Sequence, residues 1–144
     1  MKSWAPVAVP QLADLRDFPQ LALSDTASGT KKPLPKKNTY RMYVCGITPY
    51  DATHLGHAAT YVAFDTLNRV WRALGVSVEY TQNITDVDDP LIERAVATGK
   101  DWRAIATEQV DLFRDDMSAL RVIPPQNYIG VVESMELIES AVSQ

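Results

Sequence analysis

The segment from residue 39 to residue 84 constrains the fold of this chain more than any other part of its sequence. It opens with the run Tyr40 to Cys45, which is rich in residues that favour β-strands. The tetrad His54-Leu55-Gly56-His57 follows, and apolar residues then recur at steps of three and four as far as Leu74. A second run, from Val76 to Thr81, alternates apolar and polar residues. This order predicts a βαβ unit, and therefore an α/β fold with a parallel sheet.

The helix of this unit has recognisable limits. We expect it to run from about Gly56 to Leu74, with Gly75 just past its end, where glycine most easily adopts a positive φ. Trp71 lies on its apolar face and is expected in the core. The strict alternation after Gly75 implies that one face of the second strand is less buried than in a central parallel strand.

Proline and polar residues separate a leader from this unit. Residues 1–38 contain five of the nine prolines and predict an extended leader with one hairpin, near residues 21–23 and 32–34. Trp4 is expected to pack this leader onto the domain. Residues 39–144 are then predicted to form the main domain of the chain.

Three more helices are predicted downstream. Asp89 is expected as the N-cap of a short helix that ends at Gly99, and Asp101 as the cap of a longer one that Pro124-Pro125 ends. Residues 128–132 predict a strand or a turn, and residues 133–142 a last helix. The longer helix has an apolar stripe made of Trp102, Ile105, Ala106, Val110, Phe113, Met117 and Leu120.

Composition narrows the class of protein. A formal net charge of −4 over 144 residues argues against a broadly basic surface for nucleic acid. One cysteine cannot form an internal disulfide, so a reducing, cytoplasmic location is expected. We find no signal peptide and no apolar run of about 18 residues, so no membrane partner is expected.

The histidine tetrad is the first candidate site. It lies where the predicted helix begins, and backbone N–H groups and the helix dipole favour anions there. His54 and His57 can donate to phosphate oxygens and are candidate catalytic residues, while Gly56 would let a nucleotide approach closely. The alternative is that His54 caps the helix and His57 faces solvent. Glycine-rich dinucleotide and P-loop motifs are absent from the sequence.

Cys45 follows the first predicted strand and leaves several roles open. A lone cysteine is most often a small buried residue. A nucleophilic role would need a histidine as base, and a zinc role would need about three further ligands.

A polar run, Asn83 to Asp89, follows the second predicted strand. Loops after parallel strands often carry ligand contacts, and Asn83 and Thr85 suit a polar small molecule. The aspartates of this run could bind Mg²⁺ or an amine, or could cap the next helix.

The strings Cys-Gly-Ile-Thr-Pro-Tyr-Asp, His-Leu-Gly-His-Ala, Tyr-Val-Ala-Phe-Asp and Asn-Ile-Thr-Asp-Val-Asp-Asp together resemble the cysteinyl-tRNA synthetases, over about residues 21–120. The resemblance implies a Rossmann-like parallel sheet of the class I aminoacyl-tRNA synthetase (nucleotidyltransferase-like) type. This chain would hold only the first half of it, as a truncated N-terminal part of the catalytic domain.

Four residues depart from the usual synthetase sequence: Ile47, Pro49, Leu55 and Ala59. With the leader Met-Lys-Ser-Trp-Ala-Pro, they make the chain more similar to the cysteine ligases of mycothiol biosynthesis. That resemblance implies ATP-dependent activation of L-cysteine as cysteinyl-adenylate. The cysteinyl group would then pass to the amine of glucosaminyl-inositol (1D-myo-inositol 2-amino-2-deoxy-α-D-glucopyranoside).

Three alternatives stay open. One is a cysteinyl-tRNA synthetase, whose acceptor and nucleic-acid partner would be tRNA(Cys). A small nucleotidyltransferase and a non-catalytic binding domain are the others.

The resemblance also implies roles for individual residues. His54 and His57 would act on the ATP phosphates, and Cys45 would be one ligand of a single zinc ion in each full-length subunit. Mg²⁺ would accompany ATP. The residues implied in the adenylate and substrate pocket are Cys45, Gly46, Ile47, Thr48, Gly56, Thr60, Asn83, Ile84 and Thr85.

Other parts expected of such an enzyme are missing from the 144 residues. They are the signature Lys-Met-Ser-Lys-Ser and the further zinc ligands. We therefore expect the 144-residue chain to be inactive alone. Separately, we expect the full-length protein to be a monomer.

Overall fold

The computed structural model describes residues 1–10 and 20–144, so the leader prediction for residues 11–19 lies outside the described residues. In these parts of the chain the helices and strands run in the order β1 (Ala22–Asp25), β2 (Thr30–Pro33), β3 (Thr39–Val44), α1 (Leu55–Ala73), β4 (Ser77–Ile84), α2 (Asp89–Thr98), α3 (Trp102–Ala119), β5 (Asn127–Gly130) and α4 (Met135–Val142). A 3₁₀ turn, Val132–Ser134, precedes α4.

The βαβ prediction is confirmed. β3 pairs parallel to β4, with Tyr40 opposite Val78 and Val44 opposite Gln82, and α1 forms the crossover between them. β5 adds a third parallel strand beside β4. The carboxyl ends of all three strands therefore lie at one edge, which is where open parallel sheets bind their ligands.

Only one face of the sheet is covered in the described residues. Val78 and Tyr80 of β4 point into the core, where they meet apolar residues of α1 and α3. On the opposite face Arg41 and Glu79 are exposed and form an ion pair of 2.9 Å. β4 is thus the central strand of the described sheet and still alternates, because helices pack on one side only.

β4 is longer than its sequence pattern predicts. It continues to Ile84, so Asn83 and Ile84 are strand residues and not part of the following loop, which corrects the prediction. The polar Gln82 obscures the pattern. Its side chain points into the core and accepts a hydrogen bond of 2.6 Å from the Tyr80 hydroxyl, so the strand continues through a buried polar residue.

Several helix limits agree with prediction and others do not. Gly75 and Gly99 have φ of +75° and +68° and end α1 and α2 as expected. The N-cap of α2 is Asp88 rather than Asp89, since its carboxylate accepts the Asp89 N–H at 2.9 Å. Asp101 occupies the N-cap position of α3, but its side chain makes no capping hydrogen bond.

α3 ends earlier in the chain than predicted, which corrects the expected end at Pro124-Pro125. The helix stops at Ala119, and Leu120 is exposed instead of completing the buried stripe. Arg121 turns the chain there with φ of +56°, several residues before the prolines. The backbone N–H of Ile123 is then held by Asp65 of α1 at 2.8 Å, which fixes the path of the turn.

The leader packs onto the domain through Trp4, as predicted. The Trp4 side chain is 6% exposed, and its indole N–H donates to the Val122 carbonyl at 2.7 Å. Its ring meets Phe113 and Tyr128 edge-on, each with centroids 5.9 Å apart. The hairpin is also confirmed, with Ala22 opposite Pro33. The boundary at residue 38 remains a prediction.

Among the described residues, no helix has both the length and the apolar character needed to cross a bilayer.

Candidate active site

The loop after β3 is hydrogen-bonded to the end of β4. The Gly46 N–H donates to the Asn83 side-chain oxygen at 3.0 Å, and the Thr85 N–H donates to the Ile47 carbonyl at 3.0 Å. The Asn83 amide also reaches the Thr85 hydroxyl at 3.4 Å. Candidate residues from two distant parts of the sequence are therefore hydrogen-bonded to each other at the carboxyl edge of the sheet.

Gly46 is required by this close approach. A Cβ at this position would lie 1.5 Å from the backbone oxygen of Asn83 and 2.6 Å from its carbonyl carbon. No side chain fits between β3 and β4 here, so the glycine brings the Cys45 loop against the neighbouring strand.

The two histidines begin α1. His54 is the N-cap, and its Nδ1 accepts the Gly56 N–H at 3.0 Å. His57 Nδ1 in turn accepts the His54 N–H at 3.2 Å, which completes a capping box made of imidazoles. The first turn of α1 therefore holds both rings in place.

This arrangement decides the tautomer of both rings. Because Nδ1 of His54 and of His57 accepts a hydrogen bond, a neutral ring carries its proton on Nε2. Burial, together with the neighbouring His54, lowers the pKa of His57 and favours that neutral form. Capping by His54 is thus observed, and it does not exclude ligand binding, because the cap leaves Nε2–H of each ring as a donor.

Gly56 and Thr60 lie in the same first turns of α1. A Cβ at Gly56 would meet the His54 ring, with Cε1 at 2.8 Å and Nδ1 at 2.9 Å, so this glycine makes room for the imidazole. The Thr60 hydroxyl donates to the Gly56 carbonyl at 3.1 Å, within its own helix. Its side chain is exposed and remains accessible.

Ile47 and Ile84 are placed differently from the other candidates. Their side chains are 3% and 0% exposed and belong to the apolar core. Only their backbone atoms could touch a ligand. Thr48 is half-buried, and its hydroxyl lies 3.5 Å from an Asp88 carboxylate oxygen.

Asp86 and Asp88 have structural partners. Asp88 caps α2, and Asp86 is buried and accepts the Val132 N–H at 3.0 Å. The capping alternative therefore describes Asp88, whereas Asp86 ties the end of β4 to the chain after β5.

Cys45 is an exposed free thiol at the end of β3. No hydrogen bond joins its sulfur to His54 or His57 in residues 1–10 and 20–144, so the pairing needed for a nucleophile is not formed there. The same residues contain no group of three or more His, Cys, Asp or Glu side chains able to hold a metal ion. Since zinc usually takes four ligands, the described chain offers one thiol and not a zinc site.

Tyr61 belongs to the string Tyr-Val-Ala-Phe-Asp and is not among the predicted site residues. It lies four residues after His57 on α1, and its hydroxyl donates to the Cys45 carbonyl at 3.1 Å. Burial and the nearby Cys45 raise the pKa of Tyr61 to about 12, so the hydroxyl stays a donor at neutral pH. Its spacing from His57 was the available signal, since residues i and i+4 share a helix face.

Comparison with known proteins places this arrangement in a family. Residues 31–144 match the family described as tRNA synthetases class I (C) catalytic domain. The chain belongs to this family.

Other members of the class I synthetase family resemble the chain closely. It is 59% identical over 143 residues to the L-cysteine:1D-myo-inositol 2-amino-2-deoxy-alpha-D-glucopyranoside ligase of Kineococcus radiotolerans, covering 99% of this chain and 34% of the relative. The ligase of the same name from Paenarthrobacter aurescens is 57% identical over 144 residues, covering 100% and 33%. The chain thus spans about one third of the length of the curated relatives it matches.

A solved class I synthetase shares the fold. It is the Mycobacterium tuberculosis methionyl-tRNA synthetase in complex with methionyl-adenylate, with a TM-score of 0.60 and 25% identity. The match covers 67% of this chain and 19% of the synthetase. This likeness agrees with the predicted Rossmann-like α/β fold of the class I type.

Proposed function

We propose that the protein containing this chain is an ATP-dependent ligase that joins L-cysteine to the amine of glucosaminyl-inositol. The observation that carries the proposal is the identity of 57–59% to ligases of that name along essentially the whole chain. The site supports it, since the imidazoles keep Nε2–H as a donor at the start of α1, and the loop after β3 is hydrogen-bonded to the end of β4.

The proposed reaction has two steps. A carboxylate oxygen of cysteine attacks the α-phosphorus of ATP, which forms cysteinyl-adenylate and releases pyrophosphate. The sugar amine then attacks the acyl carbon, an amide bond forms, and AMP leaves while the amine loses a proton. Mg²⁺ would travel with ATP, as is usual where phosphate charge must be neutralised.

The roles of the residues follow from their donors. Nε2–H groups of His54 and His57 would hydrogen-bond phosphate oxygens as charge develops in the first step. The backbone of residues 45–48 and the side chains of Asn83 and Thr85 would hold the adenylate. Thr60 and Gly56 would complete this half of the pocket, and the buried Ile47 and Ile84 would contribute only backbone atoms.

Zinc is part of the proposal only for the longer protein. Cys45 would supply one thiolate, and the other ligands would come from outside these 144 residues. A zinc ion bound there would favour a thiol substrate over an alcohol, because it is borderline-soft and stabilises thiolates. Neither of the two proposed reaction steps depends on a zinc ion.

The deciding experiment uses the full-length protein. Cysteine-dependent ATP–pyrophosphate exchange tests the first step, and product formation with glucosaminyl-inositol against tRNA(Cys) tests the acceptor. Amide formation with the sugar amine supports the ligase. Charging of tRNA with no amide product would instead support a cysteinyl-tRNA synthetase, the second candidate favoured by the family's description. No exchange at all would reject both.

A pair of variants separates capping from chemistry at His54. Asparagine is a good N-cap and alanine is not, so His54→Ala should lose about 0.5–2 kcal/mol of stability and His54→Asn much less. Both lack the imidazole and should lower exchange by about 10²–10³-fold, the usual effect of removing one transition-state donor. Full exchange in His54→Asn would contradict the proposed role.

Three smaller proposals accompany the main one. The 144-residue chain alone should show no exchange, which the same assay tests. The full-length protein should be a cytoplasmic monomer, in keeping with its ATP substrate. Cell fractionation and size-exclusion chromatography with light scattering test those two expectations.

A further inference from the structure

Tyr61 joins the two parts of the candidate site. Its side chain is 3% exposed, and its ring packs on Phe113 with centroids 5.0 Å apart. From this fixed position the hydroxyl donates to the carbonyl of Cys45 at 3.1 Å. The tyrosine thus belongs to α1, the helix of the histidines, and holds the backbone of the thiol loop.

Residues 46–48 of this loop are also hydrogen-bonded to a different part of the fold. Gly46, Ile47 and Thr48 bond to residues 83–88, which belong to β4 and the segment after it. In the part of the chain that the structure describes, Tyr61 is the single α1 residue that donates to residues 45–48. The loop is therefore held from two sides, by β4 and by α1.

We propose that Tyr61 is a positioning residue, whose hydroxyl sets the placement of the Cys45 loop relative to the imidazoles of His54 and His57. Helix α1 is a rigid element that also holds both histidines. A hydrogen bond from Tyr61 to the loop therefore fixes the position of the thiol loop relative to the two imidazoles. Reacting groups misplaced by about 1 Å can lose about 10²-fold in rate. The catalytic consequence rests on the proposed ligase function, while the positioning itself does not.

The first test uses amide hydrogen exchange in the full-length protein. Tyr61→Phe removes only the hydroxyl and keeps the ring on Phe113. We expect the Gly46 and Thr85 amides, which hold the loop to β4, to exchange about fivefold faster, as expected for the loss of one neutral hydrogen bond. The Val131 amide, bonded to Ile84 at 3.1 Å, should keep its rate.

Tyr80→Phe is the matched control. It removes another buried tyrosine hydroxyl of the same core, one that donates to Gln82 and does not touch the loop. Exchange at Gly46 should then follow only the overall change in stability. Equal acceleration of loop and core amides in Tyr61→Phe, or a Gly46 rate within about twofold of the wild type, overturns the proposal.

The second test uses the full-length protein and the exchange assay. Tyr61→Phe should lower kcat about tenfold and change KM for ATP less than twofold, because placement rather than binding is altered. Tyr80→Phe should change neither. An unchanged kcat in Tyr61→Phe overturns the positioning role. A wild-type protein without exchange rejects the proposed function, and the amide exchange of the loop then still decides the role of Tyr61.

Discussion

The imidazoles of His54 and His57 form a reciprocal cap, with ring centroids 4.2 Å apart. Each Nδ1 accepts a backbone N–H of the first turn of α1, at 3.0 Å for His54 and 3.2 Å for His57. Protonation of either Nδ1 removes an acceptor and places a positive charge at the positive end of the helix dipole. The cap therefore requires an unprotonated Nδ1 on each ring, which leaves the ring proton on Nε2.

This cap predicts a pH dependence of stability. The pKa of His57 is lowered in the folded chain by burial and by His54, so the unfolded chain binds a proton more readily. The stabilisation is present above the unfolded value of about 6.5 and is lost as pH falls through the lower folded pKa. We expect the Tm to fall between pH 7.5 and pH 5, as measured by circular dichroism.

His57→Gln provides the control for that titration. Glutamine at this position can accept the His54 N–H through its side-chain oxygen but does not titrate. The variant should keep most of the stability at pH 7.5 and lose less on acidification. A Tm profile as steep as that of the wild type would assign the pH dependence to other groups. Asp25 and Glu133, whose pKa values are lowered, lose their contribution only at more acidic pH.

Gly46→Ala should destabilise the chain strongly. Its Cβ would overlap the Asn83 backbone oxygen, so β3 and β4 must separate at the site. We expect a loss of about 2–4 kcal/mol, measured by urea unfolding. Gly75→Ala is the comparison: it has φ of +75° and nothing within 4 Å, so it should cost only about 1 kcal/mol. Equal losses would mean that the close approach relaxes freely.

Two buried tyrosines should respond oppositely to loss of their hydroxyls. The Tyr128 hydroxyl is buried and has no hydrogen-bond partner in the described structure, and burial raises its pKa. Tyr128→Phe should stabilise by up to about 1 kcal/mol, since a desolvated donor disappears. Tyr80→Phe should destabilise by about 1–2 kcal/mol, because the Gln82 oxygen loses its donor. Thermal unfolding distinguishes the two, and destabilisation in both would reveal a partner for Tyr128.

We expect the leader to unfold together with the domain, because Trp4 packs into the core. Trp4→Ala removes a core residue and leaves the Val122 carbonyl without its donor, so we expect a loss of about 3–5 kcal/mol. Trp102→Ala should cost less, because that side chain is half-buried in the small cluster between α2 and α3. Urea unfolding followed at 222 nm compares them. A smaller loss for Trp4 would mean that the leader folds independently.

Local signals predicted most of the secondary structure. β3, α1 and β4 were recognisable because residue alternation and a helical repeat depend only on neighbours in the chain. Gly75 and Gly99 marked helix ends because φ is positive there. These signals failed at two places where tertiary contacts decide the structure. β4 continues past Thr81 because the buried Gln82 has a hydrogen-bond partner in the core. α3 ends earlier than predicted, and Asp65 fixes the turn that follows it.

The candidate site also combines features that the sequence predicts with features that depend on tertiary packing. The motif strings predict that the histidine tetrad, the Cys45 loop and the Asn83 to Thr85 segment belong to one site. They did not distinguish the core side chains of Ile47 and Ile84 from the accessible ones, because burial depends on what packs against a residue. Tyr61 was visible only as part of the string Tyr-Val-Ala-Phe-Asp.

By itself, the sequence determined the βαβ unit, the glycines that end α1 and α2 and the resemblance to the class I synthetases, since each is written in residues close together in the chain. Only the tertiary structure decided how the parts meet. Parallel pairing of β3 with β4 brings Gly46 against Asn83, 37 residues away, and the packing of α1 aims Tyr61 at Cys45. Such contacts depend on strand register and helix packing, which arise from many weak interactions summed over the whole core.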